Sequence, residues 1–398
     1  LVTTGRYVDI DGARVPVGDS GFRLAGGADG SSIRGLAFSE FRLDTPAIEL
    51  VGTEANTVDN VVIEDNIFGV SSIGRTLGNS VGLSAVHADN LTVSNNVFAI
   101  SRESGLSLGE NVTNASVTAN YVGTDSRGRN LSNAVGIELD GAGAGNVIGG
   151  DTIEAANLVE FNAIGVRVSD TTGTEVLPTV VRGNAFERNG LGIEVGGSSS
   201  EIVVESNTIL LGSVLETQVG DGIVITGTAS SVTVGSENGL GRNYIGTNST
   251  MDLGLGNQGS GIRISSSGAD VQVLNNTIFG NNSGGGDQAG GVTLETAANG
   301  TLLDGNDILA NDGAGVFATG SAVTAVIQSN AIKSNDGDGV TVQDGATVTI
   351  GAAASETDTA VIRSQANTIH SNGGYGIRVR TATETLAAAF ADFAGNSI

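Results

Sequence analysis

One phrase governs what this chain can fold into: Asn, any residue, then Ile, Val or Phe. It stands at Asn66, Asn96, Asn120, Asn157, Asn184, Asn207, Asn243, Asn276, Asn306, Asn330, Asn367 and Asn396. A period of about 30 residues marks an array of copies, each too small to bury its own apolar side and so obliged to stack on its neighbours. Eight or nine residues after many of these Asn comes a second phrase, Gly then apolar-x-apolar, as in Gly105-Leu-Ser-Leu, Gly165-Val-Arg-Val, Gly192-Ile-Glu-Val and Gly376-Ile-Arg-Val. A third segment, such as Leu91-Thr-Val, Ile202-Val-Val or Val348-Thr-Ile, precedes the next Asn. Alternation over so few residues means short half-buried strands, three to a period, and the β-branched content with frequent Gly argues against a helical array.

Three strands joined by tight turns coil into a three-sided prism in which every strand pairs with its copy one period away. The fold class expected is therefore all-β, a right-handed parallel β-helix of about 13 coils, with residues 1–398 forming one domain that is a fragment of a larger chain. Phe38, Phe68 and Phe98 are 30 residues apart and should stack inside. The intervals from Asn66 run 30, 24 and 37, and those from Asn276 repeat them, so long coils carry their extra residues in a turn. The Asn column, and a second at Asn162, Asn189, Asn281, Asn311, Asn335 and Asn372, reads as structural: amides at tight corners that tolerate left-handed backbone and bond their copies on the next coil.

The Asn-x-Ile and Gly-Ile-x-Val phrases resemble the β-helix repeats of the pectin-lyase-like superfamily. Asn120-Tyr-Val-Gly-Thr-Asp-Ser-Arg-Gly, Asn243-Tyr-Ile-Gly-Thr-Asn-Ser-Thr and Asn146-Val-Ile-Gly-Gly are similar to a subgroup found in large bacterial secreted and surface proteins. The resemblance implies fold more than function, because one fold hosts many activities. It also says what an enzyme of this kind would need: a calcium-carboxylate cluster with an Arg or Lys base for a lyase, or two carboxylates in a groove for a glycoside hydrolase.

Charge and chemistry narrow the choice. Acidic residues outnumber basic ones 43 to 18, and Lys333 is the single lysine, a balance that repels nucleic acid and anionic membranes and suits either a solvated acidic surface or divalent-cation binding. With no Cys there is no disulfide framework and no thiol catalysis, and no apolar run is long enough to insert in a membrane. Most Arg residues look isolated, and His87 and His370 have no triad or metal-ligand spacing. Glu138, Arg167 and Glu194 fall on equivalent outward positions and read as a cross-strand ion network. Asp312, Asp336 and Asp338 lie at one corner of consecutive coils, where calcium could turn repulsion into attraction; the alternative is that they point into water.

The reading reached is a secreted or cell-surface structural or adhesive component of a bacterial surface, a rod or filament and not an enzyme. Its partners would be further copies end to end, other domains of the same chain, or surface glycans. The alternatives are a polysaccharide lyase or glycoside hydrolase, or a carbohydrate-binding fibre like a phage tail spike.

Overall fold

The computed structural model describes residues 7–42, 45–210, 220–251, 256–282, 290–351, 365–380 and 390–392. Among them the strands order into three parallel sheets of 13 strands each, beside a two-stranded ribbon. The protein is a right-handed parallel β-helix of about 13 coils. A representative coil runs from Val97–Phe98 in the first sheet to Ser104–Leu108 in the second and Ser116–Thr118 in the third, then returns to the first at Tyr121–Val122. Among the described residues no helix is long and apolar enough to cross a membrane.

The chain falls into two compact units, residues 1–194 with 199–202, and residues 195–198 with 203–398. In the first unit the inward column of the first sheet is Phe38, Phe68, Phe98, Val122, Val159 and Phe186, all without solvent exposure. The three expected Phe rings stack, Phe38 on Phe68 at 5.2 Å and Phe68 on Phe98 at 4.8 Å between centroids, within 9° and 6° of parallel. In the second unit Ile245, Ile278, Ile308, Ile332 and Ile369 fill the equivalent column.

The Asn columns are hydrogen-bonded ladders. In the first unit the Nδ2 of Asn66 donates to Oδ1 of Asn96 at 3.2 Å, Asn96 to Asn120 at 3.1 Å, and Asn120 to Asn157 and Asn157 to Asn184 at 2.9 Å. Each accepting oxygen also takes the backbone N–H of the preceding rung. The second unit repeats this from Asn207 through Asn243, Asn276, Asn306 and Asn330 to Asn367. The left-handed residue at these corners differs from the one expected: it precedes the ladder Asn, as Asp65, Ala119, Phe161, Arg188 and Ser329 do at φ between 54° and 62°. The left-handed residue bends the chain, and the Asn after it keeps ordinary backbone while its amide turns inward and satisfies buried carbonyls.

Candidate functional site

Three of the corners that join the first sheet to the second in the first unit line a cleft with polar and charged side chains. After Leu36–Ser39 the backbone turns through Glu40 at φ 66°, burying Phe41 and sending Arg42 outward. After Ile67–Phe68 a longer loop closes on itself, with Ser71 N–H donating to Arg75 O at 2.9 Å around Gly74, and rejoins the coil at Asn79 and Ser80. After Val97–Phe98 the turn is short, through Ile100 at φ 52° to Ser101 and Arg102. These three corners, with Ser132 from the next coil, enclose a cleft of about 320 Å³.

Its walls combine three kinds of group. Leu77 and Ile100 are apolar, and Ser80, Ser101 and Ser132 carry hydroxyls. Arg42 and Arg102 supply two guanidinium groups. Arg42 is paired with Glu40 at 3.1 Å, whereas Arg102 has no ion-pair partner among the described residues. Ser80 Oγ donates to Glu103 Oε1 at 2.5 Å, and the buried Asn79 fixes the rim by accepting from Phe41 N–H and donating to Phe38 O, both at 3.2 Å. A planar guanidinium beside hydroxyls and a small apolar wall suits a carboxylate-bearing, hydroxyl-rich ligand. The two arginines looked isolated in sequence, 60 positions apart, and the fold brings them together.

Further along the same corner of the first unit, Glu160 and Glu187 sit in register on adjacent strands. Glu160 is buried, at 2% exposure, and accepts from the Arg188 guanidinium; Arg188 also lies 3.5 Å from Glu187 and 4.7 Å from the centre of the Phe161 ring. Burial, and then the charge of Glu160, hold the Glu187 carboxyl above the usual carboxylate range, against the opposing pull of Arg188. Nothing in the spacing of these acids, 27 residues apart on strands of different phrasing, marked them in advance.

The expected ion network is present: Arg167 Nε lies 2.9 Å from Glu194 and its NH1 lies 3.4 Å from Glu138. The three aspartates of the expected calcium corner do not converge. Asp312 and Asp336 are close enough that burial and then the Asp336 charge raise the Asp312 pKa. Asp338 is instead taken up by other partners, accepting from Tyr375 N–H at 2.7 Å and Thr341 Oγ1 at 2.8 Å, with Arg378 Nε 2.9 Å away. Among the described residues no group of three His, Cys, Asp or Glu is arranged to hold a metal ion. His87 lies 3.9 Å from Glu110, and His370 meets Ser371 at 2.9 Å.

Residues 236–388 match a family model described as a right handed beta helix region. The described residues of that segment are coils of the β-helix, so sequence and structure agree there. No curated protein matches the chain at a significant level. Solved structures similar to it include the periplasmic alginate epimerase AlgG, at 13% identity and TM-score 0.43, covering 88% of this chain and 77% of that one. The mannuronan C-5 epimerase AlgE6 A-module of Azotobacter vinelandii is 15% identical, with TM-score 0.41 over 99% of this chain and 90% of the other. An alginate lyase from Paenibacillus sp. is 14% identical, with TM-score 0.32 over 98% and 99%. Likenesses this distant concern the fold and carry no argument about substrate. They do correct the expectation that the chain is not an enzyme: proteins of this architecture include epimerases and a lyase, so a coil stack gives no ground for excluding catalysis.

Proposed function

We propose that this protein is a carbohydrate-active β-helix working outside the cytoplasm, and that its first unit holds an acidic polysaccharide in the cleft between Arg42 and Arg102. The observation that carries the reading is the cleft itself. In a chain of net charge −25, two guanidinium groups share one concavity with three serines, and Arg102 is left without an acidic partner among the described residues. A cation kept unneutralised against that background suits an anionic ligand. The lining serines would hydrogen-bond sugar hydroxyls, and Leu77 and Ile100 would face the apolar side of a ring. The alginate-acting enzymes named above are consistent with such a substrate class, but the reading rests on the cleft.

Calorimetric titration of the whole chain with sodium alginate and polygalacturonate, against dextran as the neutral control, tests it. The acidic chains should bind, the affinity should fall as salt rises, and Arg102→Ala should weaken binding about tenfold or more. Mass spectrometry of the incubated polysaccharide then reports cleavage or rearrangement. Binding that is absent, or that is unchanged in both Arg42→Ala and Arg102→Ala, would overturn the assignment.

A further inference from the structure

We propose that Glu160, Glu187 and Arg188 form a proton-operated latch on the corner linking the first sheet to the second in the first unit. The two carboxyls occupy directly opposed positions on neighbouring parallel strands, so their backbones are one coil rise apart, about 4.8 Å. One guanidinium serves both, and it favours the buried partner: Glu160 has 3% of its side chain exposed, Glu187 40%. Two negative charges and one positive charge at this spacing leave one negative charge uncompensated in a partly desolvated place. Binding a proton at the more exposed carboxyl, Glu187, resolves the imbalance. The burial and Glu160 charge that raise its pKa act in the same direction.

The turn geometry ties this proton to conformation. Phe161 and Arg188 both hold left-handed backbone, at φ 62° and 54°, a costly state for bulky side chains that persists only where surrounding contacts enforce it. As at Ala119 and Ser329, the corner's ladder holds that backbone, here through Asn162 N–H and Nδ2 on Asn189 Oδ1; the guanidinium over the Phe161 ring and its bond to Glu160 fasten the side chains on top of it. When Glu187 ionises, it competes for the same guanidinium and draws it off Phe161 and Glu160. Among the described residues, the equivalent position on the preceding strand is Gly123, which carries no charge, and Arg182 is engaged by Asp151 at 2.7 Å. The corner should therefore be closed at low pH and loosen as pH rises through the folded-state pKa of Glu187, because a pKa raised by folding stabilises below the unfolded value and loses that stabilisation above the folded one.

Amide hydrogen exchange on the whole chain, corrected for intrinsic rates, reads the latch. Phe161 N–H donates to Glu187 O at 3.3 Å, and Gly190 N–H donates to Asn162 O at 2.8 Å. Protection at both should fall about tenfold for each unit by which the Glu187 pKa is raised, across the interval where the Glu187 carboxyl carbon titrates by NMR. Glu187→Gln should keep protection high at every pH, and Glu160→Gln, which removes the second cause of the shift and frees Arg188 for Glu187, should move the Glu187 titration to lower pH. The same pH-dependent loss in Glu187→Gln as in the parent chain, or no change in the parent, would sink the latch. If Glu160→Gln does not fold, those two proteins alone decide the matter.

Discussion

At the scale of single residues, the interior tolerates little. Phe68 lies between two parallel rings and is fully buried, so truncating it removes aromatic contact on both sides and leaves a void that two sheets cannot close independently. Phe68→Ala should lower unfolding free energy by about 3 to 5 kcal/mol, measurable as a shift in the urea midpoint. Phe68→Leu should cost clearly less. The ladder asparagines are as constrained for a different reason. Asn120 Nδ2 donates to Val93 O, Thr118 O and Asn157 Oδ1 at 2.9 to 3.0 Å while its own oxygen serves Asn96, so no other side chain of that size supplies both functions.

At the scale of strands and corners, glycine decides where the coil can bend. Gly123 has φ +79°, and a Cβ there would stand 2.0 Å from Glu160 O and 2.4 Å from Asn162 Oδ1. Gly128, in the same loop, has φ +66° but nothing within 4 Å. Gly123→Ala should therefore destabilise by more than about 3 kcal/mol, whereas Gly128→Ala should cost about 1 kcal/mol, the backbone penalty alone. Paired thermal melts separate the two, and equal losses would show that the close approach to Glu160 is unimportant. The same contrast explains what the sequence could disclose. Strands, rungs and the Phe stack repeat with the coil, so their register was legible in the Asn phrase and in the alternation of Gly-Ile-Arg-Val. The Glu138, Arg167 and Glu194 network was legible too, because it sits within that alternation. The cleft was not. Its residues come from corners of unequal length, where the repeat is broken, and Arg42 and Arg102 meet only because three such corners stack. The pairing of Asp338 was not legible either: its phrase matches its neighbour's, while its partner Arg378 arrives from the next coil's strand.

For the molecule as a whole, charge sets the response to solvent. A net charge of −25 produces self-repulsion that the compact state bears more than the unfolded one, so raising salt from about 0.05 M to 1 M should raise the melting temperature as the Debye length shrinks to about 3 Å. Against this background individual carboxyls pull in opposite directions with pH. Asp312 and Glu187, raised on folding, contribute stability that is complete below their unfolded pKa values and is lost as pH rises through the folded ones. For Asp125, burial raises the pKa, but the side-chain and backbone hydrogen bonds from Arg129 and the backbone bond from Arg127 outweigh it, and the net shift is downward. Its contribution is present above the unfolded value and is lost as pH falls through the folded one. Melting temperatures of Asp312→Asn and Asp125→Asn across pH 3 to 7 should diverge from the parent in opposite senses. Parallel curves would refute the assignment.

The Asn rungs keep their bond lengths, between 2.8 and 3.2 Å, whether the sequence between them is 24 residues or 37. Coil number is thus a discrete variable and loop length a continuous one, and the chain can change either without disturbing the other. Excising residues 306–329, a whole period, would seat Asn330 where Asn306 had been and preserve every ladder bond. Excising half of that segment would leave one coil without a full set of three strands, breaking the ladder at that junction while Asn330 and Asn367 downstream keep their own spacing. Lineages of such a protein can therefore grow or shrink by whole turns, while new surface chemistry accumulates at the corners, where length carries no penalty in register.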